Sequence, residues 1–348
     1  MTTPQAGTHI GLETETVVIF IATVLVAMGI DMWAHRKEEP ISLKAAMGWS
    51  FFWIAVGLSF GIFLTEHFNS EVASLYYAGY MFEMALSVDN LFVMMSIFAW
   101  FSVPEKFCHR VLFWGVFGAI VFRLIFVLIG ASLFAMGPAV ELVFAFVVAL
   151  SGLMMLKGKD SEKEEDLSKN FAYRAVRYFI PVYPKFIGHK FFASKAEIER
   201  ELEKPENKGI ILKRTGAYFC TPLFLCLVII ETTDVMFAFD SVPAVIAISR
   251  EPLVVYSAMM LAVLGLRSMY FVLDAMRKYL VHLEKAVVIL LFFIAIKLAG
   301  SASLHLFGVG FDIDVYVSLM VIAVLLGLGV IASLIFPKKD KKSDVQNQ

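Results

Sequence analysis

Two short segments of the chain place acidic and small polar residues at matching intervals within apolar sequence. The first reads EMALSVDN, from Glu83 to Asn90, and the second reads DVMFAFDS, from Asp234 to Ser241. Each contains an acid, five further residues, a second acid and then a small polar residue. Carboxylate, amide and hydroxyl oxygens are hard ligands that suit Mn²⁺, Mg²⁺ or Ca²⁺, whereas Zn²⁺ and Cu²⁺ favour His or Cys. The segments therefore predict a metal site whose candidate ligands are Glu83, Asp89, Asn90, Asp234, Asp240 and Ser241.

The spacing of the acids limits how a helix can present them to one ion. At about 100° per residue, Glu83 and Asn90 share one stripe of a helix, whereas Asp89 lies about 120° away. Either the helices unwind locally, which Pro243 favours in the second segment, or one acid of each pair binds the ion and the other holds an Arg or Lys. We expect a mixture, with Asp89 and Asp240 as direct ligands.

The elements that must position these residues are apolar helices. Of the 348 residues, 59% are hydrophobic and 18% are charged, against roughly 45–50% and 25% in soluble domains. A bilayer core needs about 20 mostly apolar residues per helix. The sequence therefore predicts an all-α integral membrane protein with about nine transmembrane helices, at residues 17–33, 45–65, 75–100, 111–135, 138–156, 217–247, 253–275, 285–304 and 314–336.

Basic residues follow both acidic segments in the same order. Arg123 lies in the apolar run after the first segment, and Arg267 lies in the run after the second. Lys157 and Lys297 come next, each with the third run of its half. This order indicates two copies of a three-helix unit. Because three is odd, the second copy crosses the membrane in the opposite sense, which predicts the inverted 3+3 repeat of secondary transporters.

Ionisable groups inside membrane helices need compensation. Near the bilayer centre each costs roughly 2.5–3.5 kcal/mol, so such groups pair with one another or bind an ion. The deep groups here are five acids and three bases, a formal sum of −2, which one divalent cation or two protons would neutralise. The predicted charge network beside the metal site comprises Asp31, Arg123, Lys157, Glu231, Arg267 and Lys297.

The chain divides into five parts by these patterns. Residues 1–74 form two transmembrane helices, 75–157 the first repeat, 158–215 a charged cytoplasmic loop, 216–304 the second repeat, and 305–348 a last helix with a basic tail. Loops rich in Lys and Arg alternate with loops poor in them, which predicts an external N-terminus and a cytoplasmic C-terminus. The 158–215 loop is expected to be a solvated linker with a surface helix; a regulatory or partner-docking role is the alternative.

Composition also excludes several classes of function. The formal net charge of −1 lacks the basic excess that nucleic acid binding needs. The three cysteines, Cys108, Cys220 and Cys226, form no CxxC pair, and the sequence shows no paired intramembrane histidines for a haem. We expect neither an enzyme nor a resident cofactor. The expected partners are the lipid bilayer and a divalent metal ion.

Four strings match a known family in order between Asp31 and Lys297: FEMALSVDNLFV, HRVLFWGVFGAIVFR, TPLFLCLVIIETTDVMFAFDSVPAVIAIS and LAVLGLRSMYFVL. The chain thus resembles the TerC family of integral membrane proteins, and within it the Alx-type members. The resemblance implies divalent metal traffic, chiefly manganese export, in a bacterial inner membrane, in a family associated with tellurium resistance. It also implies that the family's acidic pairs fall on the four acids of the two segments, with Glu231 and Thr232 adjoining. The family's basic membrane residues then fall on Arg123, Lys157, Arg267 and Lys297.

Together these features favour a secondary transporter that exports Mn²⁺ by alternating access. The alternative is a membrane scaffold or assembly factor for the metalation or secretion of partner proteins. In that case the charge network is structural, and the function depends on the 158–215 loop.

Overall fold

The computed structural model describes residues 14–34, 42–157, 167–207, 216–276 and 283–335, together with residues 210, 212 and 214. The side chains of four predicted site residues, Asp31, Asp89, Lys157 and Asp240, lie outside the described residues although their backbones are helical.

The described chain consists of α-helices and one small sheet. The helices are α1 (Thr14–Ala34), α2 (Leu43–His67), α3 (Ser70–Trp100), α4 (Glu105–Phe134), α5 (Pro138–Lys157), α6 (Phe171–Phe179), α7 (Lys195–Glu203), α8 (Pro222–Ile248), α9 (Pro252–Leu264), α10 (Leu266–Met276), α11 (Leu283–Phe307) and α12 (Val315–Ile335). The strands are β1 (Phe192–Ser194) and β2 (Tyr218–Cys220), and 3₁₀ turns occupy Leu167–Lys169 and Pro205–Asn207.

Within the described residues, seven helices are long and apolar enough to cross a membrane, or eight if α9 and α10 form one bent span. The seven are α2, α3, α4, α5, α8, α11 and α12. The remaining predicted span, 17–33, lies on α1, whose side chains are described only in part. The chain is therefore a mostly helical, multi-pass membrane protein, and nine spans remain a prediction.

Local sequence explains where several spans begin. The Ser42 hydroxyl accepts a hydrogen bond from the Ala45 amide at the start of α2, at 3.3 Å. The Asn69 side chain accepts one from the Val72 amide at the start of α3, at 2.8 Å. Such caps satisfy amide groups that lack a partner in the first helical turn. Helices α8 and α9 instead begin with proline, which has no amide hydrogen to satisfy.

The centre of the bundle is formed by α3 and α9. Helix α9 is apolar on all sides, and every residue from Val254 to Leu264 except Tyr256 is buried, which is typical of a helix enclosed by others. Helix α3 packs along α9, α4 along α8, and α5 along α11, while α12 lies against α3 and α11. Helices α2, α4, α5 and α12 expose many large apolar side chains, such as Phe51, Phe146 and Leu328, as expected for surfaces that face lipid.

Two helices differ from the predicted pattern of breaks. Helix α8 continues without interruption through Pro243 to Ile248, so the structure does not show the unwinding that this proline favours. The predicted span 253–275 is instead divided at Gly265 into α9 and α10, whose axes differ by 50°. The break comes two residues before Arg267 and gives that arginine a position near the start of α10.

The segment between α5 and α8 contains a folded unit, here called the loop module, which consists of the described residues between 167 and 221. Strands β1 and β2 pair in antiparallel fashion, with Ala193 opposite Phe219. These two residues pack with Tyr183, which precedes β1, and with Ile198 of α7. Together they form a small apolar core separate from that of the membrane helices. The loop module is therefore a compact unit rather than a solvated linker, and the expected surface helix is α7.

Candidate functional site

One arginine connects acids from both halves of the chain. Arg123 of α4, Glu83 of α3 and Asp234 of α8 are each at most 2% exposed. Nη1 of Arg123 donates to Oε1 of Glu83, and Nη2 donates to Oδ1 of Asp234 at 3.4 Å. A guanidinium suits this role because its planar donors can bind two carboxylates at once. The first acid of each predicted pair therefore holds Arg123.

These three residues keep a formal negative charge and unused ligand oxygens. Two carboxylates against one guanidinium leave a formal charge of −1. Oε2 of Glu83 and Oδ2 of Asp234 are buried and have no hydrogen-bond partner in the described part of the chain. Buried polar atoms are satisfied in the great majority of cases, so these oxygens are candidates to receive a cation.

Two serine hydroxyls near these acids share this property. Ser87 lies one turn after Glu83, and Ser241 lies two turns after Asp234, each at most 2% exposed. Neither hydroxyl has a hydrogen-bond partner among the described residues. Most other hydroxyls in these helices donate to the carbonyl four residues earlier, as Ser74 does at 2.7 Å. Ser87 and Ser241 therefore keep donor and acceptor capacity inside the bundle.

A further carboxylate approaches the cluster from α8. The carboxylate of Glu231 lies against Gly118 of α4, where the absence of a side chain leaves room for it. Its Oε2 is buried without a hydrogen-bond partner among the described residues. Glu231 precedes Asp234 by nearly one turn, so both project toward α4 from the same side of α8. The close approach of Glu231 to Gly118 was not predicted from the sequence.

The other predicted residues occupy different environments. Arg267 is buried near the start of α10, and Asn90 is buried on the same stripe of α3 as Glu83. Nζ of Lys297 donates to the Ser318 hydroxyl of α12 at 2.9 Å, away from the contacts of Arg123. Thr232 donates to the Val228 carbonyl of its own helix at 2.7 Å.

The structure gives no contacts for the side chains of the remaining predicted residues. Asp89 and Asp240, the expected direct ligands, and the network residues Asp31 and Lys157 have side chains outside the described residues. Among the side chains that are described, no group of three or more His, Cys, Asp or Glu is arranged to hold a metal ion. A complete site would therefore need the second acid of each pair, or Asn and Ser oxygens, as additional ligands.

An ion pair that sequence reasoning missed joins the two halves at another point. Arg250, just after α8, pairs with the buried Glu141 of α5 at 3.0 Å. It also contacts the Ser301 hydroxyl of α11 at 3.4 Å. In the sequence Arg250 counts only as a loop charge, but Glu141 in an apolar span would have indicated a basic partner.

A protein-family model described as "Integral membrane protein TerC family" matches residues 68–341 of the chain. The matched residues include both acidic segments, Arg123 and Arg267. The chain belongs to the TerC family.

Relatives match along almost the whole length of this family member. Tellurium resistance protein TerC of Serratia marcescens is 54% identical over 343 residues, 98% of this chain and 99% of the relative. The protein of the same name from an Alcaligenes species is 53% identical over 346 residues, 99% and 100% of the two chains. Alx of Salmonella typhi, whose name associates it with redox modulation, is 32% identical over 289 residues, 80% and 83% of the two chains. No solved structure matches the chain significantly.

Proposed function

We propose that this TerC family member exports a divalent metal ion, chiefly Mn²⁺, across the cytoplasmic membrane of a bacterium by alternating access. The observation that carries the proposal is the buried cluster of Glu83, Arg123 and Asp234. It is formally negative, it lies between helices of both halves, and it retains carboxylate oxygens without hydrogen-bond partners in the described structure. Such a cluster attracts a cation at the depth where secondary transporters bind substrate.

The charge balance on these helices supports a cation substrate. Lys297 of α11 donates to Ser318 of α12 and lies outside the contacts of the Arg123 cluster. The deep sequence positions of α3, α4, α8 and α10 then carry five acids and two arginines, a formal charge of −3. A divalent cation would offset most of this charge. Protons can do the same when the cation is absent, which provides a basis for exchange of metal and H⁺.

The packing of the helices supports an inverted repeat. In such a repeat, α3 corresponds to α8, α4 to the bent pair α9 and α10, and α5 to α11. Exchanging the two sets of helices converts the α3–α9 contact into the α8–α4 contact. Both pairs occur, and the α5–α11 and α3–α8 pairs map onto themselves. A two-fold relation between the halves has this pattern of contacts. The site residues Glu83 and Asp234 are equivalent under the same exchange.

The ligand chemistry supports a hard metal ion. The unpartnered atoms are carboxylate and hydroxyl oxygens, which suit Mn²⁺ and Mg²⁺ better than Zn²⁺ or Cu²⁺. The choice of Mn²⁺ within this group rests on the resemblance to the TerC family. No step in the proposal requires an enzyme reaction or a resident cofactor.

The orientation follows from loop charge together with α1 as a ninth span. Lys106 and Arg110 follow α3, and the tail after α12 is basic. By contrast, Glu66 and Glu71 flank the α2–α3 connection, and the α11–α12 connection carries Asp312 and Asp314. With nine spans, this distribution favours an external N-terminus and a cytoplasmic position for both the loop module and the C-terminus.

Manganese flux in proteoliposomes tests the proposal. We expect purified protein to carry Mn²⁺ across the vesicle membrane, and we expect Asp89→Asn and Asp240→Asn to abolish the flux. Glu141→Gln is the matched control because it makes the same change at a buried acid outside the α3–α8 cluster. Each variant must elute as a folded protein in detergent. Wild-type flux equal to that of empty vesicles, or equal flux in all variants, would contradict the proposal.

The loop module supports one alternative, a scaffold or assembly factor for partner proteins. Its separate core around Tyr183 and Phe219 gives it the form of a docking unit rather than a tether. On this alternative, replacing residues 160–205 with a flexible linker abolishes the cellular phenotype, while the Asp89 and Asp240 variants act only through stability. On the transport proposal, the linker variant retains Mn²⁺ flux in vesicles.

A further inference from the structure

A cavity of about 440 Å³ lies where the loop module meets the membrane helices. Its wall includes Trp100, the last residue of α3, and Pro222, the first residue of α8. Because both spans end here, the cavity is at the level of the lipid head groups rather than in the hydrocarbon. It contains none of the residues of the Arg123 cluster, so it is a second candidate site.

Two arginines of the loop module line this cavity. The Arg177 guanidinium lies over the Tyr173 ring, 5.3 Å from its centroid, and donates to the Tyr173 hydroxyl at 3.1 Å. Nη1 of Arg214 donates to the Tyr178 carbonyl at the end of α6. Among the ion pairs of the described residues, neither arginine is paired with a carboxylate. Two positively charged groups with neutral partners, facing one cavity, favour an anionic ligand with phosphate geometry.

The sequence around α6 is basic and aromatic. Residues 167–194 include no acid but contain five lysines and arginines: Lys169, Arg174, Arg177, Lys185 and Lys190. Basic segments next to membrane spans attract anionic lipid head groups. The charge of this segment therefore complements an anionic lipid surface and not a neutral one.

The outer face of α6 carries large side chains that no described residue covers. Phe171, Tyr178 and Phe179 are 85%, 72% and 76% exposed. They lie within an arc of about 100° on the helix, whereas Ala172 is buried and Tyr173 packs against Trp100. A short helix with aromatic residues on its free face and arginines beside them is typical of a segment in the membrane interface.

We propose that the cavity between α6, α3 and α8 binds the phosphate head group of an anionic phospholipid, with the free aromatic face of α6 in the interface beside it. Arg177 and Arg214 bind the phosphate, and Trp100 and Tyr173 contact the glycerol region. The lipid then links the loop module to the ends of two membrane spans. This inference does not depend on the transported ion.

Titration of the full-length protein with phosphatidylglycerol or phosphatidylcholine, followed by native mass spectrometry, tests the site. We expect phosphatidylglycerol to bind more tightly, and we expect Arg177→Gln to weaken it about fivefold, since each basic residue at an anionic surface contributes about that factor. Arg177→Gln leaves the Arg214 contact with α6 in place. Lys195→Gln on the exposed face of α7 is the matched control and should bind as the wild type does.

Three variants and a competing anion decide whether a lipid occupies the cavity. Arg177→Lys should recover part of the affinity, because it restores the charge without the planar guanidinium. Equal binding by Arg177→Gln and Lys195→Gln would overturn the site. Displacement of bound phosphatidylglycerol by millimolar inorganic phosphate would overturn the lipid as its occupant, because a free anion would then be the preferred ligand.

Discussion

Removal of Arg123 should destabilise the protein more than removal of any exposed arginine. In Arg123→Met, Glu83 and Asp234 remain buried without their common partner. Loss of one member of a buried ion pair costs about 3–5 kcal/mol, because a charge stays uncompensated in a low-dielectric interior. That loss is a large share of a total stability of about 5–15 kcal/mol.

A graded series of variants tests the origin of this loss. Arg123→Lys keeps the charge but cannot bind both acids, so it should lose one charge-assisted hydrogen bond, about 1.5–3 kcal/mol. Combining Arg123→Met with Glu83→Gln and Asp234→Asn removes all three charges and should recover at least about 2 kcal/mol of the loss. Glu83→Gln should be more costly than Asp234→Asn, because the Asp234 contact is the longer one, at 3.4 Å.

Reversible unfolding in mixed micelles of sodium dodecyl sulfate, followed by tryptophan fluorescence, gives the free energy of unfolding of each variant. Arg110→Met is the matched control, because Arg110 lies on the same helix, is exposed and contacts the Phe191 ring at 5.2 Å, a type of contact that contributes about 0.5–1 kcal/mol at exposed sites. Equal losses for Arg123→Met and Arg110→Met would refute the reasoning. So would a triple variant that is less stable than Arg123→Met alone.

Two further predictions concern a close helix contact and a helix cap. Gly118→Ala should displace the Glu231 carboxylate and cost about 1–3 kcal/mol by overpacking, whereas Gly327→Ala, which has open space around it, should be neutral or slightly stabilising in the same unfolding assay. Glu197 accepts hydrogen bonds from Lys190 and from the cap of α7, which lower its pKa from 4.5 to about 2. Its stabilisation of the loop module is therefore present above pH 4.5 and lost as the pH falls toward 2. Hydrogen exchange of the α7 amides, corrected for intrinsic rates, should show this loss in the wild type but not in Glu197→Gln; equal pH profiles would contradict it.

The positions of the membrane helices could be predicted from sequence because each span is a long apolar run. The predicted span 45–65 falls inside α2, and 138–156 falls inside α5. The bend at Gly265 could not be predicted, since a single glycine is tolerated in a straight helix. For Pro243 the prediction was wrong in the other direction: the sequence favoured a break in the helix, yet α8 is continuous around this proline. Tertiary packing, which local sequence does not encode, decides both cases.

The residues of the Arg123 cluster were singled out from the sequence as buried charges, but their pairing was not predicted. Helical spacing showed that the two acids of a pair could not face one ion, but it did not show which acid holds an arginine. The contacts of Arg123 with Glu83 and Asp234 depend on how α3, α4 and α8 pack together. The core of the loop module was missed for a related reason, because its strands are only three residues long and lie far apart in the chain.

The connection between α3 and α4 has a consequence for the synthesis of the protein. Only residues 101–104 separate the two helices. Glu83 lies 17 residues before the end of α3 and Arg123 lies 18 residues after the start of α4, so both are about 26 Å from the connection. This hairpin can therefore neutralise its own arginine when it leaves the translocon, long before Asp234 has been translated. A ribosome-bound chain that ends after α5 should already insert α4 fully, and it should fail to do so when Glu83 is replaced.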